Sequence, residues 1–162
     1  MGRLMHEGRV EATSRATPEQ VWAIISDVTR IGDWSHECRA AEWLGETRRA
    51  APGARFRGGN TVGRMSWSRQ CEIVVADAPH LLTWRTVPTR LYTDQTEWRI
   101  TIDSDGDVTT IVQSFEVLRL NPIMERLIHL LLPAHRDRTE ALRADLGRLA
   151  SVAETVDLEP AS

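Results

Sequence analysis

The feature that most constrains this chain is a change of period. From Met65 to Leu118 successive segments alternate with period two, and from Asn121 onward the apolar positions recur every three or four residues. In "RMSWSRQCEIVVADAP", Trp67, Arg69, Cys71, Ile73 and Val75 share one face, Ser66, Ser68, Gln70 and Glu72 the other, with a stop at Pro79. "HLLTWRT" groups Leu82, Trp84 and Thr86, and "LYTDQTEWRITI" sets Tyr92, Asp94, Thr96, Trp98, Ile100 and Ile102 against Thr93, Gln95, Glu97, Arg99 and Thr101. These patterns predict half-buried strands. "DSDGD" reads as a hairpin turn and "VTTIVQSFEVL" as the strand after it. A sheet with one apolar face needs a cover.

The end of the chain supplies one. Asn121-Pro122 is a helix start, and Met124, Ile128, Leu131, His135, Thr139, Leu142, Leu146, Leu149 and Ala153 then form one stripe. Pro133 removes an N–H and crowds the carbonyl of His129, so a kink or break is expected there. Upstream lie a strand near Gly8–Ser14 and a capping box at Thr17-Pro-Glu-Gln20, with Val21, Ile24, Ile25 and Val28 on one helical stripe. Asp27 starts a second short turn leading to Trp34. "RAAEWLGE" and "PGARFRGGN" read as two further strands. Trp22 and Trp34 are expected to seal a sheet edge near the mouth of a cavity. From Glu154 the packing pattern stops, as in a frayed tail. The expectation is an α+β domain over residues 1–156, with 157–162 as a disordered tail. It comprises a curved antiparallel sheet of about seven strands on a long C-terminal helix, and two short helices after the first strand.

Composition narrows the chemistry. All 20 basic residues are arginine, which excludes Schiff-base and phosphate-loop lysines. They are scattered among 23 acids, so a nucleic-acid surface is not expected. No apolar run approaches the ~20 residues of a bilayer span, and the N-terminus has no secretory apolar core, which makes the cytoplasm the default address. Cys38 and Cys71 are not closely spaced and read as reduced, buried thiols. His129 and His135 would sit about 240° apart on an unbroken helix, and "DWSHEC" has no second ligand cluster, so no metal is expected. Gly58-Gly59 opens no helix and no serine sits in a nucleophile elbow, so neither a dinucleotide site nor a serine hydrolase is indicated, and no cofactor is expected.

Three pieces carry a resemblance: Thr17-Pro18-x-x-Val21-Trp22, Glu42-Trp43-Leu44-Gly45 ahead of Pro52-Gly53, and Ala78-Pro79-x-x-Leu82-x-Trp84-Arg85. In order and spacing, over residues 8 to 154, the chain resembles the START-related helix-grip superfamily in its polyketide cyclase/dehydrase-like branch. The resemblance implies a helix-grip fold with a deep apolar cavity between sheet and C-terminal helix, used for lipids, sterols, polyketides or other hydrophobic metabolites. A minority of such proteins are enzymes, notably aromatase/cyclases, and the family shares no universal catalytic motif.

Polar groups on faces that should be apolar are the candidate functional residues, because burial without a partner costs roughly 1–3 kcal/mol. Arg69, Asp94, His135 and Thr139 qualify, and Gln113 shares parity with Ile111 and Phe115. Trp67, Trp84, Trp98, Ile100, Met124, Ile128 and Leu131 are the expected apolar lining, with Trp34, Phe56, Tyr92 and Thr96 completing the ligand-binding set. Each polar residue has a plainer alternative. Arg69 can pair with Asp94 as a structural bridge or lie along the sheet rim, and a phase reset at Pro133 can turn His135 to solvent. Three functions therefore stand side by side. The first is binding of a hydrophobic small molecule for transport or sequestration. The second is a cyclase or dehydratase with His135 as base, Arg69 stabilising an enolate, and Asp94 beside them. The third is a protein-interaction module of the chaperone-activating kind, against which the polar outer strand faces argue. A monomer, or a weak dimer through an exposed strand, is expected.

Overall fold

A computed structural model describes residues 4–158 of the chain. Seven antiparallel strands form one curved sheet: β1 (Glu7–Ser14), β2 (Cys38–Leu44), β3 (Arg55–Val62), β4 (Met65–Asp77), β5 (Leu81–Thr86), β6 (Gln95–Asp105) and β7 (Val108–Arg119). Their order is β1-β7-β6-β5-β4-β3-β2, so the first strand closes against the last and β2 forms the far edge. The Asp-Gly turn is present, with Gly106 at φ +61°, a conformation that favours glycine.

Helix α1 (Pro18–Ile25) carries the expected capping box: Gln20 N–H donates to Thr17 Oγ1 (3.2 Å), and Thr17 N–H donates to Gln20 Oε1 (2.8 Å). A 3₁₀ turn over Val28–Asp33 follows, capped by Asp27. These are the two short helices expected after β1. Val21, Ile24, Ile25 and Val28 are buried on the concave side of the sheet. Trp22 packs at the border of that core and does not reach the cavity, whereas Trp34 does.

The C-terminal stripe is divided at Pro133. Helix α2 (Pro122–Leu131) stops at Leu132, a 3₁₀ turn covers Pro133–His135, and α3 (Thr139–Ala153) restarts the helix. The two halves of the cover are thus separate helices. Thr139 falls at the start of α3, where its N–H donates to Asp137 Oδ1 (3.0 Å), and it is absent from the cavity wall.

Two further expectations are corrected. A bulge between Ile73 and Val75 slips the pleat by one residue, so Ala76 packs on the core in place of Val75. The chain beyond Ala153 is tied down through Val156. The Glu154 carboxylate accepts from Ser14 Oγ (3.2 Å) and Arg15 N–H (2.9 Å), and the Val156 carbonyl accepts from Gln20 Nε2 (2.9 Å). Of the expected tail, Asp157 and Leu158 are exposed and residues 159–162 lie outside the described ones.

Candidate functional site

Between the concave face of the sheet and α2 lies a cavity of about 400 Å³. Register builds its floor. Trp84 on β5 is paired with Trp98 on β6, and Trp98 with Phe115 on β7. The indoles of Trp84 and Trp98 stack with centroids 6.3 Å apart and planes 12° apart, and Trp98 lies 5.1 Å from Phe115. On β3 and β4 the cross-strand pair Phe56–Cys71 continues the wall, and Gly58 opposite Arg69 leaves room that a side chain would take from Cys38. Met124, Ile128 and Leu131 of α2 supply the roof, and Trp34 and Trp67 stand at the sides. Tyr92, Asp94 and Thr96 line the cavity from the β5–β6 connection and the start of β6. Ile100 does not line it. It is fully buried two residues beyond Trp98, in the closed end of the core.

The polar side chains around this space are largely paired with one another. Arg69 Nη1 donates to both carboxylate oxygens of Asp94 (3.0 and 2.9 Å) and Nη2 to the Asp94 carbonyl (3.1 Å), with the guanidinium 5.1 Å from the Tyr92 ring centroid. Arg69 is thus a bridge and a lining residue at once. Gln113 is buried on β7, and its Oε1 has no hydrogen-bond partner among the described residues.

His135 lines the cavity, with its ring edge-on to Trp67 at 6.1 Å. Its Nε2 is hydrogen-bonded to Glu37 Oε1, while Glu37 Oε2 accepts from Arg138 Nη2 at 2.8 Å. Arg138 in turn lies over the rings of Trp98 (5.0 Å) and Phe115 (5.5 Å). Burial alone would push the Glu37 carboxyl up, but the His135 hydrogen bond and the Arg138 charge outweigh it and hold the group below the usual carboxylate value. Glu37 is therefore ionised at neutral pH. Burial pulls the Arg138 guanidinium down from its ordinary range, opposed by the charges of Glu37 and Asp145. Beside this cluster Asp145 accepts from His36 N–H (2.9 Å) and bonds His36 Nδ1 (2.7 Å), and it is also ion-paired with Arg148.

Two thiols complete the wall. Burial, reinforced for Cys38 by the Glu37 charge, raises Cys38 to about 11; burial, only partly offset by Arg69, raises Cys71 to about 12. Both stay protonated at neutral pH, so neither supplies a thiolate nucleophile.

Sequence reasoning missed Glu37, Arg138 and Asp145. Asp145 left a signal: it is three residues after Leu142 and four before Leu149, so it falls on the buried stripe of α3, and it is 2% exposed. Glu37 was visible in "DWSHEC" only as a possible metal ligand. Its partners lie 98 and 101 residues away, which no local pattern conveys.

The family described as "Polyketide cyclase / dehydrase and lipid transport" matches residues 5–154. Solved structures share the fold at low identity. TTHA0849 from Thermus thermophilus is 17% identical at a TM-score of 0.69, over 91% of this chain and 97% of that one. The di-domain ARO/CYC StfQ from the steffimycin biosynthetic pathway is 14% identical at 0.63, over 91% of this chain and 44% of that one. Major latex-like protein 151 from Panax ginseng is 12% identical at 0.58, over 91% of this chain and 97% of that one. No curated protein sequence matches the chain.

Proposed function

The chain belongs to the polyketide cyclase / dehydrase and lipid transport family, and on that premise we propose that it binds a hydrophobic small molecule in the cavity beneath α2, for transport or sequestration. The observation that carries this reading is the cavity itself: about 400 Å³, walled by indoles and aliphatic side chains. That volume lies within the range of small-molecule sites. Burying a few hundred Å² of ligand supplies several kcal/mol at ~25 cal/mol per Å² before ordering costs. The ionic groups of the wall favour a neutral ligand, since Arg69 is matched by Asp94 and Arg138 by Glu37. Lipids, polyketides and related metabolites fit this description. An open cavity also speaks against the interaction-module reading, which calls for a collapsed one.

Native mass spectrometry of gently purified protein tests the proposal, followed by extraction of whatever is bound and by a tryptophan-quenching titration with a hydrophobic panel. A retained hydrophobic mass, or quenching of the Trp84–Trp98 floor, is expected. A bare chain mass with no quenching across the panel would overturn it.

A second reading, a cyclase or dehydratase, is favoured by one observation: a carboxylate, Glu37, orients a cavity-lining imidazole, as a general base requires. The oxyanion partner expected from sequence, Arg69, is bound to Asp94 through both Nη groups. Turnover of a bound polyketide-like compound, lost in His135→Ala while binding persists, would select this reading. Binding without turnover would leave the carrier.

A further inference from the structure

Among the described residues nine large apolar side chains are exposed, and only Val108 and Leu158 lie away from the cavity's α2 side. The other seven fall on three stretches bordering the cavity, among them Leu91 (72% exposed), Ile123 (78%) and Leu130 (71%). These stretches are the β3–β4 turn, the β5–β6 connection, and the segment from the end of β7 through α2. They adjoin. The pairing of Gln95 with Arg119 sets the β5–β6 connection beside the approach to α2, and the Arg69–Asp94 bridge holds the same connection against β4.

α2 is apolar on two sides. Met124, Leu127, Ile128 and Leu131 line the cavity, while Ile123 and Leu130, with the half-exposed Leu127 between them at i, i+4, i+7, form a stripe facing solvent. Only Glu125, Arg126 and His129 make a polar arc, and no residue of α2 is buried. A helix of that composition belongs at a boundary between water and an apolar phase.

The charge around the rim identifies the phase. Arg64, Arg90, Arg119, Arg126 and Arg136 are all exposed in or beside these stretches. The acids there are Asp94, ion-paired with Arg69, Glu125, hydrogen-bonded to His6, and the exposed Asp137 next to Arg136. Over residues 62–66, 87–94 and 118–137 five arginines minus three acids give +2, so the rest of a chain of net −3 carries −5. A face of that charge repels a second copy of itself.

We propose that this rim docks on an anionic lipid bilayer. α2 lies in the headgroup layer, Leu91, Ile123, Leu127 and Leu130 reach the acyl boundary, and the arginines meet the lipid phosphates. A hydrophobic ligand then passes between bilayer and cavity without crossing water. The docking surface is separate from the cavity's occupant, so its test needs no ligand and can fail independently of the ligand-binding reading.

The test is flotation of the full chain with vesicles of phosphatidylcholine alone and of equimolar phosphatidylcholine and phosphatidylglycerol. Binding is expected to the anionic vesicles, to weaken with salt, and to be at least tenfold weaker in the double variant Ile123→Ser, Leu130→Ser. Each of Arg90→Ala and Arg126→Ala should weaken it about fivefold. All four side chains are exposed, so unchanged thermal unfolding checks that the variants fold. Three results would overturn the proposal: no flotation with anionic vesicles, flotation indifferent to the double variant, or a dimer that the double variant converts to monomer. Capture of an acidic protein by the same face, without vesicle binding, would overturn it too.

Discussion

α2 and α3 come from one continuous apolar stripe, yet they do opposite things. α3 is amphipathic with a narrow seam: Leu142, Leu146, Leu149, Ala150 and Ala153 are buried, and the helix packs across β1, β7 and α1. α2 is apolar around most of its circumference and buries nothing fully; its main neighbour is the 3₁₀ turn behind it. A narrow stripe commits a helix to a core, whereas a wide one leaves apolar surface for something else to cover. The joint between them is pinned by the Glu37–His135–Arg138 cluster, in which Glu37 bonds two side chains of the short connection just ahead of α3.

Breaking the pin should have the largest effect. Glu37→Ala leaves Arg138 buried without its hydrogen-bonded carboxylate, and a loss of about 3–5 kcal/mol in chemical denaturation is expected. Next is the clamp. Leu146→Ala removes a side chain of 0% exposure and should cost ~2–5 kcal/mol by the same measurement.

Acidification sharpens the comparison. The Glu37 carboxyl is held below its ordinary 4.5 in the folded chain, so its contribution is complete above that value and is lost as pH falls through the lower, folded-state value. Stability of the wild type should therefore fall more steeply below pH 4.5 than that of Glu37→Gln. Urea titrations at stepped pH read the difference. The smallest effect belongs to α2: Leu130→Ser should change the unfolding free energy by no more than about 0.5 kcal/mol, because nothing in the folded chain covers that side chain.

The strand periods made the sheet legible, since a half-buried pleat writes its burial directly into alternating residues. Local chemistry likewise gave the capping box at Thr17–Gln20 and the turn at Gly106. The tryptophan floor followed from parity, because Trp84 and Trp98 occupy inward positions on neighbouring strands. What stayed hidden depends on slips and distant pairings. The bulge at Ile73–Val75 moves Val75 off the core without any turn residue to announce it. Pro133 announced an interruption, but whether the helix bends or stops there is set by packing around Leu132 and His135. Glu37 shows the deepest limit: beside His36 and Cys38 it reads as a surface acid or a weak metal ligand, and only the fold brings Arg138 to it.

The central claim is that α3 holds the fold together while α2 roofs a ligand cavity. Hydrogen exchange across residues 122–131 and 139–153, before and after stripping the protein of bound hydrophobic material, tests it most directly. The account predicts fast exchange in α2 of the stripped protein, slower exchange when the cavity is filled, and high, unchanged protection in α3. Equal protection in both helices, indifferent to stripping, would contradict it.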